Sequence, residues 1–187
     1  MEKEQIEVYL RALGDILESE GAEPIQLFIC GSVALMMQDL IARNRTRDVD
    51  CAGFVVSVKN SRKIERPVIE RPLRDAIGRV ARAYSISEHW LSFQSRMLLE
   101  NGLPEGLEDR LEERHYGSRL TVLIASRLDM VFFKVKAAIT REKDIQDLIE
   151  MQPTEEELEW AGGLCIEQGA TWEQVEDVTE RLSLIHI

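Results

Sequence analysis

Two aspartates separated by one residue, Asp48 and Asp50, form the pattern in this sequence that is best suited to chemistry. They lie in the segment TRDVDCAGFVVSV (46–58), whose valines and alternation predict a β-strand. Residues two apart on a strand point to the same face, so both carboxylates project together while Val49 points into the core. Two like charges repel unless a cation compensates them, and Mg²⁺ or Mn²⁺ prefers carboxylate oxygens. Asp48 and Asp50 are therefore candidate metal ligands.

A Gly-Ser pair lies shortly before these aspartates. Gly31 and Ser32 follow PIQLFIC (24–30), an apolar run that predicts a buried strand, and precede VALMMQDLIARN (33–44), which predicts a helix. Glycine lets a ligand approach the backbone closely, the free N–H groups of a helix start favour an anion, and the Ser32 hydroxyl can donate to phosphate. Each feature alone is common in turns and strand edges. Their combination in this order is considerably more specific, and it favours a triphosphate site.

On these residues, segment 31–54 resembles the nucleotidyltransferase superfamily, whose members carry a Gly-Ser turn, a helix and then a strand with paired aspartates. The string RTRDVD (45–50) is similar to the variant in bacterial AbiEii- and MenT-like enzymes of abortive-infection and toxin–antitoxin systems. Two departures affect loop shape more than chemistry. The spacing from Ser32 to Asp48 is longer than usual, and Cys30 stands where many relatives have glycine.

The resemblance implies a function and a set of roles. It implies Mg²⁺-dependent (or Mn²⁺-dependent) transfer of a nucleoside monophosphate from a nucleoside triphosphate (NTP) to a hydroxyl, on an RNA 3′ end or a protein. Asp48 and Asp50 would be catalytic metal ligands, and the nucleotide would be bound by Gly31, Ser32 and Arg47. A partner protein from the same operon is a further implication.

A second segment, RLDMVFFKVKAAITREKDIQDLIEM (127–151), resembles a later motif of the same relatives. In that motif an aspartate begins a helix, a lysine follows on it, and an Arg-x-x-Asp-like turn starts the next helix. The resemblance implies that Lys134 faces the nucleotide and that catalytic Asp144 positions the nucleotide or the acceptor. On this reading, removal of Lys134 lowers transfer and hardly changes stability. The alternative is an exposed amphipathic helix on which Lys134 and Asp144 form a surface salt bridge.

A third carboxylate is missing from its expected place. Many superfamily enzymes carry one on a later strand, but the predicted strand LTVLIA (120–125) has no acidic residue. Either Asp144 takes that role or the activity is altered. The altered case gives a second hypothesis: a catalytically silent member of the fold that acts as an antitoxin or a regulatory partner. Nothing in the sequence specifically favours a third possibility, the nucleotidylation of a small molecule.

Charge is distributed unevenly along the chain, whose formal net charge is -11. Residues 41–96 hold 12 Lys+Arg and 6 Asp+Glu, and the remainder holds 11 basic and 28 acidic residues. The basic stretch favours either a local anion site or a solvated basic face, and the acidic remainder suits a protein-binding surface. Four basic residues of the stretch are candidates for contact with nucleic acid or triphosphate: Arg62, Lys63, Arg66 and Arg71.

The predicted helices and strands that position these residues indicate an α/β (α+β) fold of the nucleotidyltransferase type. We expect a mixed β-sheet of three to five strands flanked by helices. We expect a nucleotidyltransferase core over 1–126 and a helical part over 127–187 packed on it as a single compact unit. Periodicity predicts helices over 3–19, 73–84, 127–139 and 143–151. Capping signals predict that Ser126 caps the helix over 127–139, that Thr154 with Glu157 caps a further helix, and that Thr171 caps a last one. The stretch 60–72 reads as a loop, and 88–118 shows no clear pattern.

Two composition signals bear on location and redox chemistry. The start MEKEQIEVYL lacks the basic and apolar regions of a signal peptide, and no apolar run approaches the ~20 residues of a membrane span, so we expect a cytoplasmic protein. The three cysteines, Cys30, Cys51 and Cys165, have no paired spacing, which argues against a disulfide framework or a zinc site. Cys30 and Cys51 are expected in the core.

Overall fold

The structure, a computed structural model, describes residues 1–59, 61–100 and 102–183 and gives only the backbone of residues 96 and 97. The described chain divides into two units. The first, called here the sheet unit, comprises Met1–Ala34 and Asn44–Ala125. The second, called the helical unit, comprises Leu35–Arg43 and the chain from Ser126 onward. The short segment 35–43 therefore belongs to the helical unit although the chain on both sides of it belongs to the sheet unit.

The sheet has six described strands: β1 (Ile25–Ile29), β2 (Val49–Val58), β3 (Ser61–Glu65), β4 (Leu91–Ser92), β5 (Glu112–Tyr116) and β6 (Leu120–Ile124). Their order is β3-β2-β1-β6-β5, and β4 pairs with β2 beside this path. β1 is antiparallel to β2 and parallel to β6. The sheet is mixed, as predicted, but the expected three to five strands were too few.

The strand β3 corrects the prediction of a loop over 60–72. Residues 61–65 pair antiparallel with β2, from Val58↔Ser61 to Phe54↔Glu65. Ile64 is the only buried residue of this strand, which explains why its polar sequence gave no strand signal. The extended conformation of residues 61–65 is therefore set by backbone hydrogen bonds to β2 and not by local composition. Asn60, in the same predicted loop, lies outside the described residues.

Two long helices belong to the sheet unit, α1 (Lys3–Ser19) and α3 (Arg71–Tyr84), and both were predicted. The apolar stripe of α1 is buried, and Gly14 lies so close to β5 that a Cβ there would be 1.9 Å from the Tyr116 carbonyl oxygen. The short helices α2 (Gly31–Met37) and α4 (Met97–Glu100) complete the order. α2 is shorter than the predicted helix over 33–44, because Asp39 adopts a left-handed φ of 56° soon after it ends.

The helical unit contains α5 (Arg127–Ala138), α6 (Lys143–Met151), α7 (Glu155–Glu167) and α8 (Trp172–Ser183). The predicted caps are confirmed. Ser126 accepts a hydrogen bond from the Asp129 amide, and Thr154 with Glu157 forms a capping box at the start of α7. The Gln174 amide donates to Thr171 Oγ1 over 3.3 Å at the start of α8.

The three cysteines are buried and form no disulfide, and burial confirms the predicted core positions of Cys30 and Cys51. Among the described residues, no helix has both the length and the apolar character that crossing a membrane requires.

Candidate functional site

The aspartate pair lies at the start of β2. Asp48 directly precedes this strand, and Asp50 is its second residue. Val49 is fully buried, and the two aspartates that flank it are half-buried, which is the alternation expected of a strand that covers the core on one face. Thr46 Oγ1 donates to the Asp48 carbonyl oxygen over 3.1 Å, and the Val49 amide donates to the Trp90 carbonyl oxygen over 2.7 Å. These two bonds fix the backbone that carries the carboxylates.

Gly31 lies against the carboxylate of Asp50. Its φ is 75°, and a Cβ built on it would be 3.0 Å from Asp50 Oδ2. Any other residue at this position would combine a strained backbone with crowding of the carboxylate. On the other side, Ser95 Oγ donates to Asp50 Oδ1 over 2.9 Å. The carboxylate of Asp50 is therefore bordered by a bare glycine turn and oriented by a serine.

A two-residue strand, β4, lies beside β2 and pairs with it in parallel, with Asp50 opposite Ser92. The neighbouring strand therefore presents a hydroxyl, and not a carboxylate, at the position level with Asp50. Sequence reasoning missed both Ser92 and Ser95, because residues 88–118 show no usable periodicity. The only signal was the apolar-polar alternation of Trp-Leu-Ser-Phe (90–93), which is too short to distinguish from chance.

The sheet unit thus contains five of the predicted site residues. Asp48, Asp50 and Gly31 are described above. Ser32 is half-buried at the second position of α2, and Arg47 is exposed directly before Asp48. The two remaining predicted residues, Lys134 and Asp144, belong to the helical unit.

Lys134 lies within a buried chain of alternating charges. Its ammonium is 2.7 Å from Asp144 Oδ1 and 2.6 Å from Asp147 Oδ2, and all three side chains are buried. Arg141 Nε lies 2.9 Å from Asp144 Oδ2, and an Arg43 guanidinium nitrogen lies 2.7 Å from Asp147 Oδ1. The alternative hypothesis was a salt bridge between Lys134 and Asp144 on an exposed helix face. The salt bridge is present, but the predicted exposure is wrong, because both side chains are buried inside the helical unit.

Asp147 was missed from sequence, because its spacing of three residues from Asp144 shows a shared helix face but not burial against Lys134. Residues three apart on a helix share a face, so α6 presents both carboxylates to Lys134. One turn further along, Glu150 Oε2 accepts hydrogen bonds from the amides of Ala42 (2.8 Å) and Arg43 (3.3 Å). α6 therefore holds the segment that ends five residues before Asp48.

The thiol of Cys51, next to the aspartate pair, is held in its protonated form at neutral pH. Burial, and secondarily the charge of Asp50, raise the pKa of Cys51 to about 12, so the thiol stays protonated. Within the described part of the chain, no cluster of three or more His, Cys, Asp or Glu side chains could hold a metal. Two carboxylates still fit Mg²⁺, which is commonly held by one or two carboxylates together with substrate phosphates and water.

The four basic residues proposed for anion contact are each ion-paired within the sheet unit. Lys63 Nζ lies 2.9 Å from Glu65, and Arg71 Nε lies 3.3 Å from Asp75. Arg62 pairs with Glu113, and Arg66 pairs with Glu100. Much of the local positive charge is therefore compensated at short range.

Comparison with known proteins identifies the family. Residues 10–161 match DUF6036, which is described as a nucleotidyltransferase of unknown function. This range includes the glycine turn, both aspartates of β2 and the charge chain around Lys134. No curated protein matches the chain, and neither does any solved structure. Since the match spans well over half of the sequence, the chain belongs to the DUF6036 family of nucleotidyltransferases of unknown function.

Proposed function

We propose that this protein transfers a nucleoside monophosphate from an NTP to a hydroxyl group, with Mg²⁺ or Mn²⁺ held by Asp48 and Asp50. The observation that carries this proposal is the position of the Asp50 carboxylate, which accepts a hydrogen bond from Ser95 and lies against Gly31 at the turn that begins α2. The aspartate strand and the glycine turn, which the sequence predicts as the metal and phosphate sites, are therefore adjacent within the sheet unit. The family match and the half-buried position of both aspartates support the same conclusion.

The chemistry requires little more than positioning and charge neutralisation. The acceptor oxygen bonds to the α-phosphorus, the bond from that phosphorus to the bridging oxygen breaks, pyrophosphate leaves, and the hydroxyl proton passes to water. The bound cation would supply charge neutralisation at the phosphates. Gly31 would let the triphosphate approach the backbone, Ser32 would donate a hydrogen bond to it, and Arg47 would pair with a phosphate oxygen.

The proposed roles of Lys134 and Asp144 rest on different evidence. Their contact with the nucleotide or acceptor is implied by resemblance alone, whereas their contacts within the helical unit favour a structural role. Lys134 connects Asp144 to Asp147, and Asp147 binds Arg43. We therefore propose that this charge chain stabilises the segment that leads to Arg47 and Asp48.

The acceptor and the biological setting come from the resemblance to AbiEii- and MenT-like enzymes. We propose an RNA 3′ end or a protein hydroxyl as the acceptor and a partner encoded in the same operon. The test incubates the protein with each of the four NTPs labelled at the α-phosphate, Mg²⁺ or Mn²⁺, total RNA and total protein. Label that becomes covalently attached to one class of acceptor supports the proposal, and the same NTP labelled at the γ-phosphate should leave no label.

Asp50→Asn is the decisive variant, and Asp15→Asn, at an exposed position of α1, is its matched control. Transfer should disappear in the first and persist in the second. Transfer that survives Asp50→Asn would overturn the assignment of the metal site.

A catalytically silent binding protein is the second candidate. It is favoured by Ser92, which occupies the position level with Asp50, and by β6, which carries no acidic residue. Mg²⁺-dependent NTP binding without transfer from any NTP to either acceptor class would support this candidate over the enzyme.

A further inference from the structure

The helical unit has a groove bordered by α7 and α8, with a volume of about 530 Å³. Apolar side chains of both helices line it, among them Leu158, Val175 and Leu182. Trp172 also lines it and is 67% exposed, the most exposed aromatic side chain among the large hydrophobic residues described. Exposed tryptophans beside apolar grooves are typical anchors of protein–protein contacts.

The charge around this groove has one sign. Among the described residues that line it, the ionisable ones are Glu155, Glu159 and Glu176. Residues 152–187 together contain nine Asp+Glu and one Arg, so this stretch carries a formal charge of -8 within a chain of -11. An apolar floor with an acidic border is complementary to an apolar surface flanked by lysines or arginines. The same border repels the phosphates of a nucleic acid or a free nucleotide.

Two adjacent glycines of α7 line the groove, and packing within the unit explains only one of them. A Cβ at Gly162 would be 2.8 Å from Val175 Cγ1, so this glycine lets α7 and α8 approach closely. A Cβ at Gly163 would meet no atom of the described chain within 4 Å. Glycine is unfavourable inside a helix, so Gly163 leaves a notch in the groove without an internal packing reason.

We propose that this groove binds a cationic amphipathic helix of a partner protein. The apolar face of that helix would cover Trp172 and Val175, and its lysines or arginines would pair with Glu159 and Glu176. The groove lies between two helices and borders no strand edge, which favours a helix over an added strand as the bound element. Most of its residues follow position 161, beyond the range matched by the family, and none of its described lining residues is among those proposed for the transfer chemistry.

The test uses a synthetic peptide of about 18 residues, which is long enough to form a helix on its own. The peptide contains only leucine and lysine, with leucine at positions i, i+3, i+4 and i+7. Titration into the 187-residue chain, followed by tryptophan fluorescence and calorimetry, should show salt-sensitive 1:1 binding. Trp172→Ala should weaken binding at least about tenfold. A peptide with glutamine in place of every lysine should also bind at least about tenfold more weakly. Equal binding of the two peptides would overturn the cationic part of the proposal.

Non-specific attraction to an acidic protein is tested by two charge-matched double variants. Glu159→Lys with Glu176→Lys changes two residues that line the groove. Glu156→Lys with Glu180→Lys changes two exposed residues on the same helices that do not line it. The first pair should reduce affinity at least about tenfold, and the second should reduce it less than about threefold. Equal losses, with both proteins folded by circular dichroism, would show that binding is not localised to the groove.

A second copy of this chain is another possible occupant with a distinct outcome. If the protein alone forms a dimer by sedimentation and Trp172→Ala abolishes that dimer, the groove receives a second copy of this chain. That result would overturn the proposal of a separate partner protein.

Discussion

Lys134 Nζ lies 2.6 Å from Asp147 Oδ2, and the two side chains are only 7% and 4% exposed. Twelve residues lie between them in the chain, and their contact joins α5 to α6 inside the helical unit. A buried ion pair is balanced only while both partners are present, because each charge has lost its water. This relationship changes what removal of Lys134 should do.

Lys134→Ala should destabilise the protein by about 3–5 kcal/mol, since it leaves the buried carboxylates of Asp144 and Asp147 without their shared cation. This replaces the sequence-based expectation of nearly unchanged stability. Urea unfolding measures the effect. The control is Lys136→Ala on the same helix, where a half-buried ammonium lies 5.6 Å from the Phe132 ring centroid and should cost about 1 kcal/mol or less. A loss below about 1 kcal/mol for Lys134→Ala would mean that its ammonium is available to a ligand.

Asp48→Asn and Asp50→Asn should each remove the strengthening of NTP binding by Mg²⁺, because each takes away one of two carboxylate ligands. Neither change should unfold the protein, since it relieves repulsion between neighbouring carboxylates. Calorimetry with and without Mg²⁺ compares the variants with wild type and with Asp15→Asn. Mg²⁺ enhancement that is unchanged in both site variants would remove the aspartate pair from metal binding.

Gly31→Ala should lower stability and abolish the Mg²⁺ effect, because the new methyl group would lie 3.0 Å from Asp50 Oδ2. The positive φ alone costs about 1–2 kcal/mol for a non-glycine residue. Gly21→Ala provides the matched control, since Gly21 has a φ of 64° and a Cβ there would meet nothing within 4 Å. Gly21→Ala should show the backbone cost and keep normal NTP binding. Identical behaviour of the two variants would show that contact with Asp50 is unimportant.

Ser95→Ala should weaken Mg²⁺-dependent NTP binding about 10–100-fold, the usual cost of losing a side chain that orients a metal ligand. The free energy of unfolding should fall by only about 0.5–1.5 kcal/mol, because one hydrogen bond to Asp50 Oδ1 is lost. Ser61→Ala, which removes an exposed bond to the Val58 carbonyl oxygen, should leave NTP binding intact. A stability loss without any change in the Mg²⁺ effect would assign Ser95 a purely structural role.

The ion pair of Arg127 with Glu157 should make part of the stability depend on pH. Partial burial opposes ionisation of Glu157, but hydrogen bonds from Arg127 and from the Thr154 amide outweigh it and lower the pKa of this carboxyl. A carboxyl with a lowered folded-state pKa contributes stability above its unfolded pKa of about 4.3 and loses that contribution as pH falls through the folded pKa. Glu157→Gln should therefore cost about 1 kcal/mol at pH 7 and progressively less in acid, measured by urea unfolding. Glu156→Gln, one residue earlier and exposed, should show no such trend.

The aspartate pair and the glycine turn could be predicted because their signals are local. A strand, a Gly-Ser turn, a helix and a second strand follow one another within residues 24–58, and each has its own composition and period. The caps at Ser126 and Thr154 were predictable for the same reason, since a cap needs only three or four consecutive residues.

Ser95 and Asp147 were not predictable in the same way. Ser95 contacts Asp50 across 45 residues, and the strand beside it has only two residues, too few for a periodic pattern. Asp147 looks like an ordinary polar residue on α6, and only the tertiary structure shows that it is buried against Lys134. Contacts between residues distant in sequence depend on tertiary packing, and local propensity carries no information about that packing.

The interleaving of the two units has a consequence for how the protein is made. Segment 35–43, which connects the glycine turn to the aspartate strand, belongs with residues that the ribosome adds only after position 125. Its side chains Leu35, Met36, Met37 and Ile41 are buried in the finished protein. During synthesis these side chains can become buried only after α5 and α6 have been made. We therefore expect the nascent chain to expose an apolar stretch between the glycine turn and the aspartate strand. We also expect nucleotide binding to be acquired during synthesis only after α5 and α6 have been translated, and a fragment ending at residue 125 should aggregate.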